Sequence, residues 1–168
     1  MNRFTRLLKH RWWDESDARR ALPAAALARI EAKVAASERQ HSGEIRVCVE
    51  AGLPLSYLWR GLHARDRAIT LFGKLRVWDT EHNNGVLVYL LLADHAIEIV
   101  ADRGLNQHIT PALWQQLIAP MKQAFQRHAF EAGLVQAIAA IDALLVKHFA
   151  LTPGAVNADE LPNRPDMR

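Results

Sequence analysis

Asn83-Asn84-Gly85-Val86-Leu87-Val88-Tyr89-Leu90-Leu91-Leu92-Ala93-Asp94-His95-Ala96-Ile97-Glu98-Ile99-Val100-Ala101-Asp102-Arg103-Gly104 is the stretch that decides the fold. Val86 to Leu92 is an uninterrupted apolar run, the mark of a strand buried on both faces. Ala93-Asp94-His95 is a tight turn and Ala96 to Ala101 is the partner strand, so the two form an antiparallel hairpin. Upstream, Ile45, Val47 and Val49 alternate with polar residues over Glu44 to Glu50, the pattern of a strand with one strongly apolar face. Tyr57 to Leu75 reads as one helix capped by Ser56, with Leu58, Leu62, Ile69, Phe72 and Leu75 turned inward. A strand–helix–strand crossover within one sheet makes the two strands parallel, so strands 44–50 and 86–92 begin at the same edge. The hairpin returns strand 96–101 to that edge.

The rest of the chain supplies helices. Pro23 suits a first helical position, and Leu27, Ile30 and Val34 mark a buried stripe behind it. Thr110-Pro111 opens a helix with Leu113, Trp114, Leu117 and Ile118 inward, and Pro120 is expected to kink or restart it. A last helix runs from Phe130 to Phe149 on Leu134, Ile138, Ile141, Leu144 and Leu145. The segment 150–168, with Pro153, Gly154, Pro162 and Pro165, reads as a loose, flexible C-terminal tail. Residues 1–20 form a basic, tryptophan-bearing arm: Arg3, Arg6, Lys9 and Arg11 precede the first acid, Asp14, and Phe4, Leu7, Leu8 and Trp12 recur at helical spacing. This arm is either a short helix lying on an anionic membrane surface or a helix docked on the domain.

A chain of 168 residues, half hydrophobic and 23% charged, is a folded domain rather than a disordered segment. The single cysteine, Cys48, excludes an internal disulfide framework and a cysteine-based metal cluster, and its position inside a strand makes it a buried inert thiol. A net charge of +3 suits loose attraction to anions but names no partner. The basic face of the middle helix comes with no recognition motif, so nucleic acid is not expected. No GxSxG, Walker A or GxGxxG motif occurs, which argues against standard serine hydrolases, P-loop enzymes and Rossmann oxidoreductases. No continuous apolar run is long enough to span a bilayer and no secretory signal opens the chain, so the expected location is cytoplasmic.

The polar groups converge where three loops meet: Ser42-Gly43-Glu44, Asp79 to Gly85, and Asp102-Arg103-Gly104. That edge gathers the carboxylates of Glu44, Asp79, Glu81 and Asp102, the amides of Asn83 and Asn84, and Arg103. Carboxylate and amide oxygens suit hard cations such as Ca²⁺ or Mg²⁺. The alternative is turn chemistry alone, because Asp and Asn are ordinary turn residues. His41 and His82 border the edge and read as exposed loop histidines.

The runs Ser42-Gly43-Glu44-Ile45, Asn83-Asn84-Gly85-Val86-Leu87-Val88 and Ile97 to Leu105, with its Asp102-Arg103-Gly104 turn, resemble the TPM-domain family. Its members include a thylakoid lumen protein, a photosystem II repair factor and many bacterial proteins. The likeness covers roughly residues 37–149, within a domain taken as 21–149. It implies a three-layer α/β/α sandwich around a small mixed β-sheet. It also implies a divalent-cation site, commonly calcium, with Glu44, Asn83, Asn84 and Asp102 at the matching positions and Asp79 and Glu81 as neighbours. Two functions follow from it. One is a non-catalytic interaction or accessory module, with a LemA-like membrane protein as the implied partner. The other is a metal-assisted acid phosphatase, in which Glu44 and Asp102 hold the metal, Arg103 neutralises the phosphate and Asp79 serves as general base.

Overall fold

The computed structural model describes residues 3–152, 154–155 and 157–168. In chain order the elements are α1 (Arg3–Trp12), α2 (Glu15–Ala21), α3 (Ala24–Ser37), β1 (Ile45–Glu50), α4 (Leu55–Trp59), α5 (Ala64–Lys74), β2 (Val86–Leu91), β3 (Ala96–Ala101), α6 (Arg103–Asn106), α7 (Pro111–Gln126), α8 (Phe130–Phe149) and β4 (Asp166–Met167). The sheet order is β3-β2-β1-β4. β1 and β2 are parallel with Ile45 opposite Val86, and β3 is antiparallel to β2 with Ala101 opposite Val86. The mixed sheet and its crossover are those the sequence predicts.

Side chains alternate across a strand, and that parity builds the layers. Ile45, Val47, Val49, Val86, Val88 and Leu90 join one core with Ile30 and Val34 of α3 and Leu134, Ile138, Ile141 and Leu145 of α8. Cys48, Leu87, Tyr89 and Leu91 join a second core with Leu58 of α4 and Ala64, Ala68 and Leu71 of α5. Helices thus cover both faces, which is the α/β/α sandwich. By length and composition alone, α8 is long and apolar enough to cross a membrane. Its Leu134, Ala137, Ile138, Ile141 and Leu145 are fully buried in this fold, the pattern of a core helix.

Several local expectations change. The helix read over Tyr57–Leu75 is two helices, broken where Gly61 takes φ +69°, a conformation that costs glycine little. Ser56 lies inside α4 rather than capping it; the cap position is Pro54. A new helix then starts as the Asp66 carboxylate accepts the His63 amide at 2.8 Å. The inner face of α5 is Ala64, Arg67, Ala68 and Leu71, so Ile69 points outward and is 53% exposed. Small alanines let α5 lie close to the sheet, and Arg67 is drawn in by Glu50. α7 runs unbroken through Pro120. The proline sits on the exposed face, where the carbonyl deprived of a donor is left to water. Leu113 is half exposed, and the buried anchors of α7 are Met121 and Phe125.

The described part of the segment expected to be a loose tail is docked. β4 pairs parallel to β1, Cys48 opposite Asp166. The Arg168 amide donates to the Val49 carbonyl at 2.8 Å, and Arg46 donates to the carbonyls of Pro162 and Arg164, each at 2.5 Å. Nη1 of buried Arg46 is met by these two backbone oxygens, which helps a charged residue to be tolerated inside β1.

Candidate functional site

The three loops meet as the topology requires. The Val86 amide donates to the Glu44 carbonyl at 2.8 Å, the Asp102 amide to the Gly85 carbonyl at 2.9 Å, and the Gly104 amide to the Asn83 carbonyl at 2.8 Å. Asn83 sits at φ +51°, which asparagine tolerates, and this turns its carbonyl toward Gly104. A Cβ at Gly85 would overlap the Val77 carbonyl, so only glycine fits there.

Their side chains divide into two groups. In the first, buried Asn84 donates to Ser42 Oγ at 3.2 Å while its Oδ1 has no partner. Asp102 Oδ1 accepts the Arg103 amide at 2.7 Å as the cap of α6, and its Oδ2 is buried without a partner. Arg103 spends Nη2 and Nε on Asn83 Oδ1, at 2.8 and 3.2 Å. Asp79 and Glu81 are exposed; the Glu81 amide donates to the Glu160 carboxylate at 3.2 Å. These contacts fix loop geometry.

The second group is acidic. The ligand oxygens of Glu38, Glu44 and Asp159 lie within 4.8 Å of one another. Glu38 comes from the C-terminal cap of α3, Glu44 from the entry to β1, and Asp159 from the C-terminal segment. Glu38 Oε1 accepts the Ile45 amide at 3.0 Å. Glu44 accepts from Asn157 Nδ2 at 3.1 Å and from the Leu161 amide at 3.2 Å. A cleft of about 380 Å³ opens beside them, lined by Glu38, Arg39, Asn157, Asp159 and Asn163 among others. The Asn163 Oδ1 atom is buried with no partner.

Burial pushes the Glu38 carboxyl up to about 8, with Glu44 and Asp159 adding repulsion against the lowering effect of the Ile45 amide. Burial likewise raises Glu44 to about 7 against the amides that bond it. Desolvation thus outweighs the hydrogen bonds that favour the charged form of both carboxyls. The donor set is all oxygen, and an oxygen-only set with an unpaired amide oxygen beside it fits a hard divalent cation. The group could therefore hold a metal ion. Of the residues expected from the sequence, Glu44 belongs to it; Asp79, Glu81 and Asp102 do not.

Glu38 and Asp159 escape a sequence reading. Glu38 stands at a helix end outside the three loops, and an acid there opposes the helix dipole, which is the one signal available. Asp159 lay in a segment read as loose. His41 is wholly buried rather than an exposed loop residue, within 2.9 Å of Ser37 Oγ and 3.4 Å of Asp142, and burial lowers its pKa. His82 is exposed. Cys48 is buried, and burial with nearby Asp166 and Glu50 pushes its thiol up to about 12, so it is inert as read.

A family model described as the TPM domain matches residues 16–144. Among solved structures, the chain is similar to the BA42 protein of the psychrophilic bacterium Bizionia argentinensis. The two are 28% identical with a TM-score of 0.75, over 88% of this chain and 95% of that one. It is also similar to the N-terminal domain of a P. gingivalis protein, at 19% identity and a TM-score of 0.60 over 78% of this chain and 82% of that one, a likeness of fold alone. No curated protein matches the chain.

Proposed function

The chain belongs to the TPM-domain family, and on that premise we propose that it is a non-catalytic accessory module that takes one divalent cation, Ca²⁺ or Mg²⁺. Glu38, Glu44 and Asp159 hold the ion, and the amide oxygens of Asn157 and Asn163 stand close enough to the cleft to assist. The carrying observation is that the ligand oxygens of three carboxylates from three separate segments crowd within 4.8 Å of one another, beside a cleft that also offers amide side chains. Because Asp159 belongs to the C-terminal segment, the ion ties that segment to β1 and α3. Occupancy then regulates which surface the domain presents, the kind of change a binding module transmits.

The rival reading, a metal-assisted phosphomonoesterase, asks for an arginine and a base beside the metal. Arg103 is bonded to Asn83 on the neighbouring group and Asp79 is not a member of the acidic cluster; Arg39 does line the cleft, but no base from the expected set stands beside it. The resemblance supports a LemA-like membrane protein, met on the cytoplasmic side, as the partner within this proposal. Pull-down of such a protein with cation present, and its loss in chelator, is the expected result.

Two measurements test the reading. Amide hydrogen exchange at Leu161 and Arg168 should slow when Ca²⁺ or Mg²⁺ is added, and Glu44→Gln should remove the effect. Exchange indifferent to the cation contradicts it. Turnover of p-nitrophenyl phosphate with Mg²⁺, Ca²⁺ or Mn²⁺ that Asp102→Asn abolishes would replace it with the phosphatase.

A further inference from the structure

On the opposite side of the sheet from α3 and α8, the helix α1 packs against α4, and both helices leave large apolar side chains in water. On α1, Phe4 is 68% exposed, Leu8 44% and Trp12 79%; on α4, Leu55 is 54% exposed and Trp59 71%. Scattered single exposures need no explanation, but five on two adjoining helices do. Phe4, Leu8 and Trp12 are four residues apart, so at about 100° per residue they share an arc of about 80° on the helix.

The opposite arc of α1 is fastened down. Leu7 packs on the α4/α5 core, His10 Nδ1 accepts the Leu53 amide at 3.2 Å, and Arg6 Nη2 donates to the Leu62 carbonyl at 2.6 Å. Lys9 lies 3.3 Å from Asp94. The apolar arc is therefore held facing outward rather than collapsing onto the domain.

Its charge says what covers it. Four cations and no acid occur in residues 1–13, and Arg60 follows α4. On the wheel of α1, Arg11 flanks the apolar arc on one side, and Lys9, its charge paired with Asp94, lies beyond the other. Tryptophan and phenylalanine beside Arg11 and Arg60, with no acid within either helix, match the boundary between acyl chains and anionic headgroups. A protein groove would ask for complementary acids and a concave shape; a bilayer asks only for a convex apolar ridge between cations.

We propose that α1 and α4 together form a docking surface for an anionic lipid bilayer, with Phe4, Leu8, Trp12, Leu55 and Trp59 entering the interface. The domain then lies on the membrane through its own residues, independently of the cation cluster, which lies at the start of β1 whereas α1 is bonded to Leu53 beyond its end.

Co-sedimentation of the full chain with vesicles tests this, in EDTA so that no ion bridges protein and lipid. Vesicles of phosphatidylcholine with 30 mol% phosphatidylglycerol, roughly the anionic content such electrostatic binding needs, should pellet the protein. Pure phosphatidylcholine should bind it at least about tenfold less, and high salt should weaken the anionic binding. The variant Phe4→Ser/Trp12→Ser/Trp59→Ser should lose about tenfold or more in partitioning, while its melting temperature stays unchanged because all three side chains are exposed. Wild-type protein that ignores anionic vesicles, or a variant that binds them as well as wild type, overturns the proposal. So does a wild-type dimer that these substitutions dissolve without any lipid binding, since a second copy would then be the occupant.

Discussion

Glu44 and Glu50 bracket the same strand and are equally hidden, at 0% and 5% exposure, yet their surroundings are opposite. Glu50 receives Arg67 Nη2 at 2.6 Å, Arg67 Nε at 2.9 Å and the Tyr89 hydroxyl at 2.7 Å. It is a buried charge with its partner inside the fold. Glu44 receives an amide side chain and a backbone amide, and its charged neighbours are two further acids. The fold bonds an arginine directly to the carboxylate at one end of β1 and gathers three carboxylates at the other, where they could hold a cation. The contrast separates a glutamate paired within the fold from one that could bind an ion, where burial alone would not.

Breaking the Glu50 side gives the largest effect. Arg67→Met strands a buried carboxylate, and urea unfolding should show a loss of about 3–5 kcal/mol. Removing the Glu44 charge by Glu44→Gln, in chelator, should cost nothing or stabilise, because it removes repulsion. Equal losses would erase the distinction.

Cation affinity comes next. Asp159→Asn and Glu38→Gln should each weaken Ca²⁺ or Mg²⁺ binding by about tenfold or more, equivalent to at least about 1.4 kcal/mol. Asp102→Asn should leave it within about twofold, since Asp102 caps α6 instead of joining the cluster; titrations of the three variants decide it.

The pH dependence follows from the raised carboxyls. Glu38 and Glu44 hold protons in the fold up to about 8 and about 7, whereas the unfolded chain releases them near the ordinary glutamate value. The native state thus binds more protons than the unfolded one across that window. Without cation, this contribution to stability is complete at low pH and declines as pH rises from about 4.5 toward 8. Melting temperature in EDTA should fall over that range, Glu44→Gln should flatten the fall, and saturating Mg²⁺ should oppose it.

The smallest effect sharpens the role of burial. Arg29 Nε meets Glu131 at 2.6 Å, as close as Arg67 meets Glu50, but on the surface. Arg29→Ala should cost only about 0–1 kcal/mol in the same unfolding assay.

The strands and the hairpin were legible because burial on both faces leaves the uninterrupted run Val86–Leu92, and because parity in Ile45-Val47-Val49 survives in the sequence. The crossover rule then brought Ser42–Glu44, Asn83–Gly85 and Asp102–Gly104 to one edge without any long-range signal. Which carboxylates meet there was not legible. That depends on side-chain direction and on a C-terminal segment docked by its backbone amides, Leu161 donating to the Glu44 carboxylate and Arg168 to the Val49 carbonyl, which leave no periodicity. The break at Gly61 and the outward turn of Ile69 were hidden for a related reason. The helical period fits several registers, and the ion pair of Arg67 with Glu50, distant in sequence, chooses among them.

The central claim is that the Glu38–Glu44–Asp159 cluster exchanges protons for a metal ion. Calorimetric titration of Ca²⁺ and of Mg²⁺ into the protein at pH 6.5, in two buffers of different ionisation enthalpy, reads binding and proton release together. One site releasing between about one and two protons, with both signals lost in Glu44→Gln, is the predicted result. No binding heat, or binding without proton release that Glu44→Gln leaves intact, would contradict it.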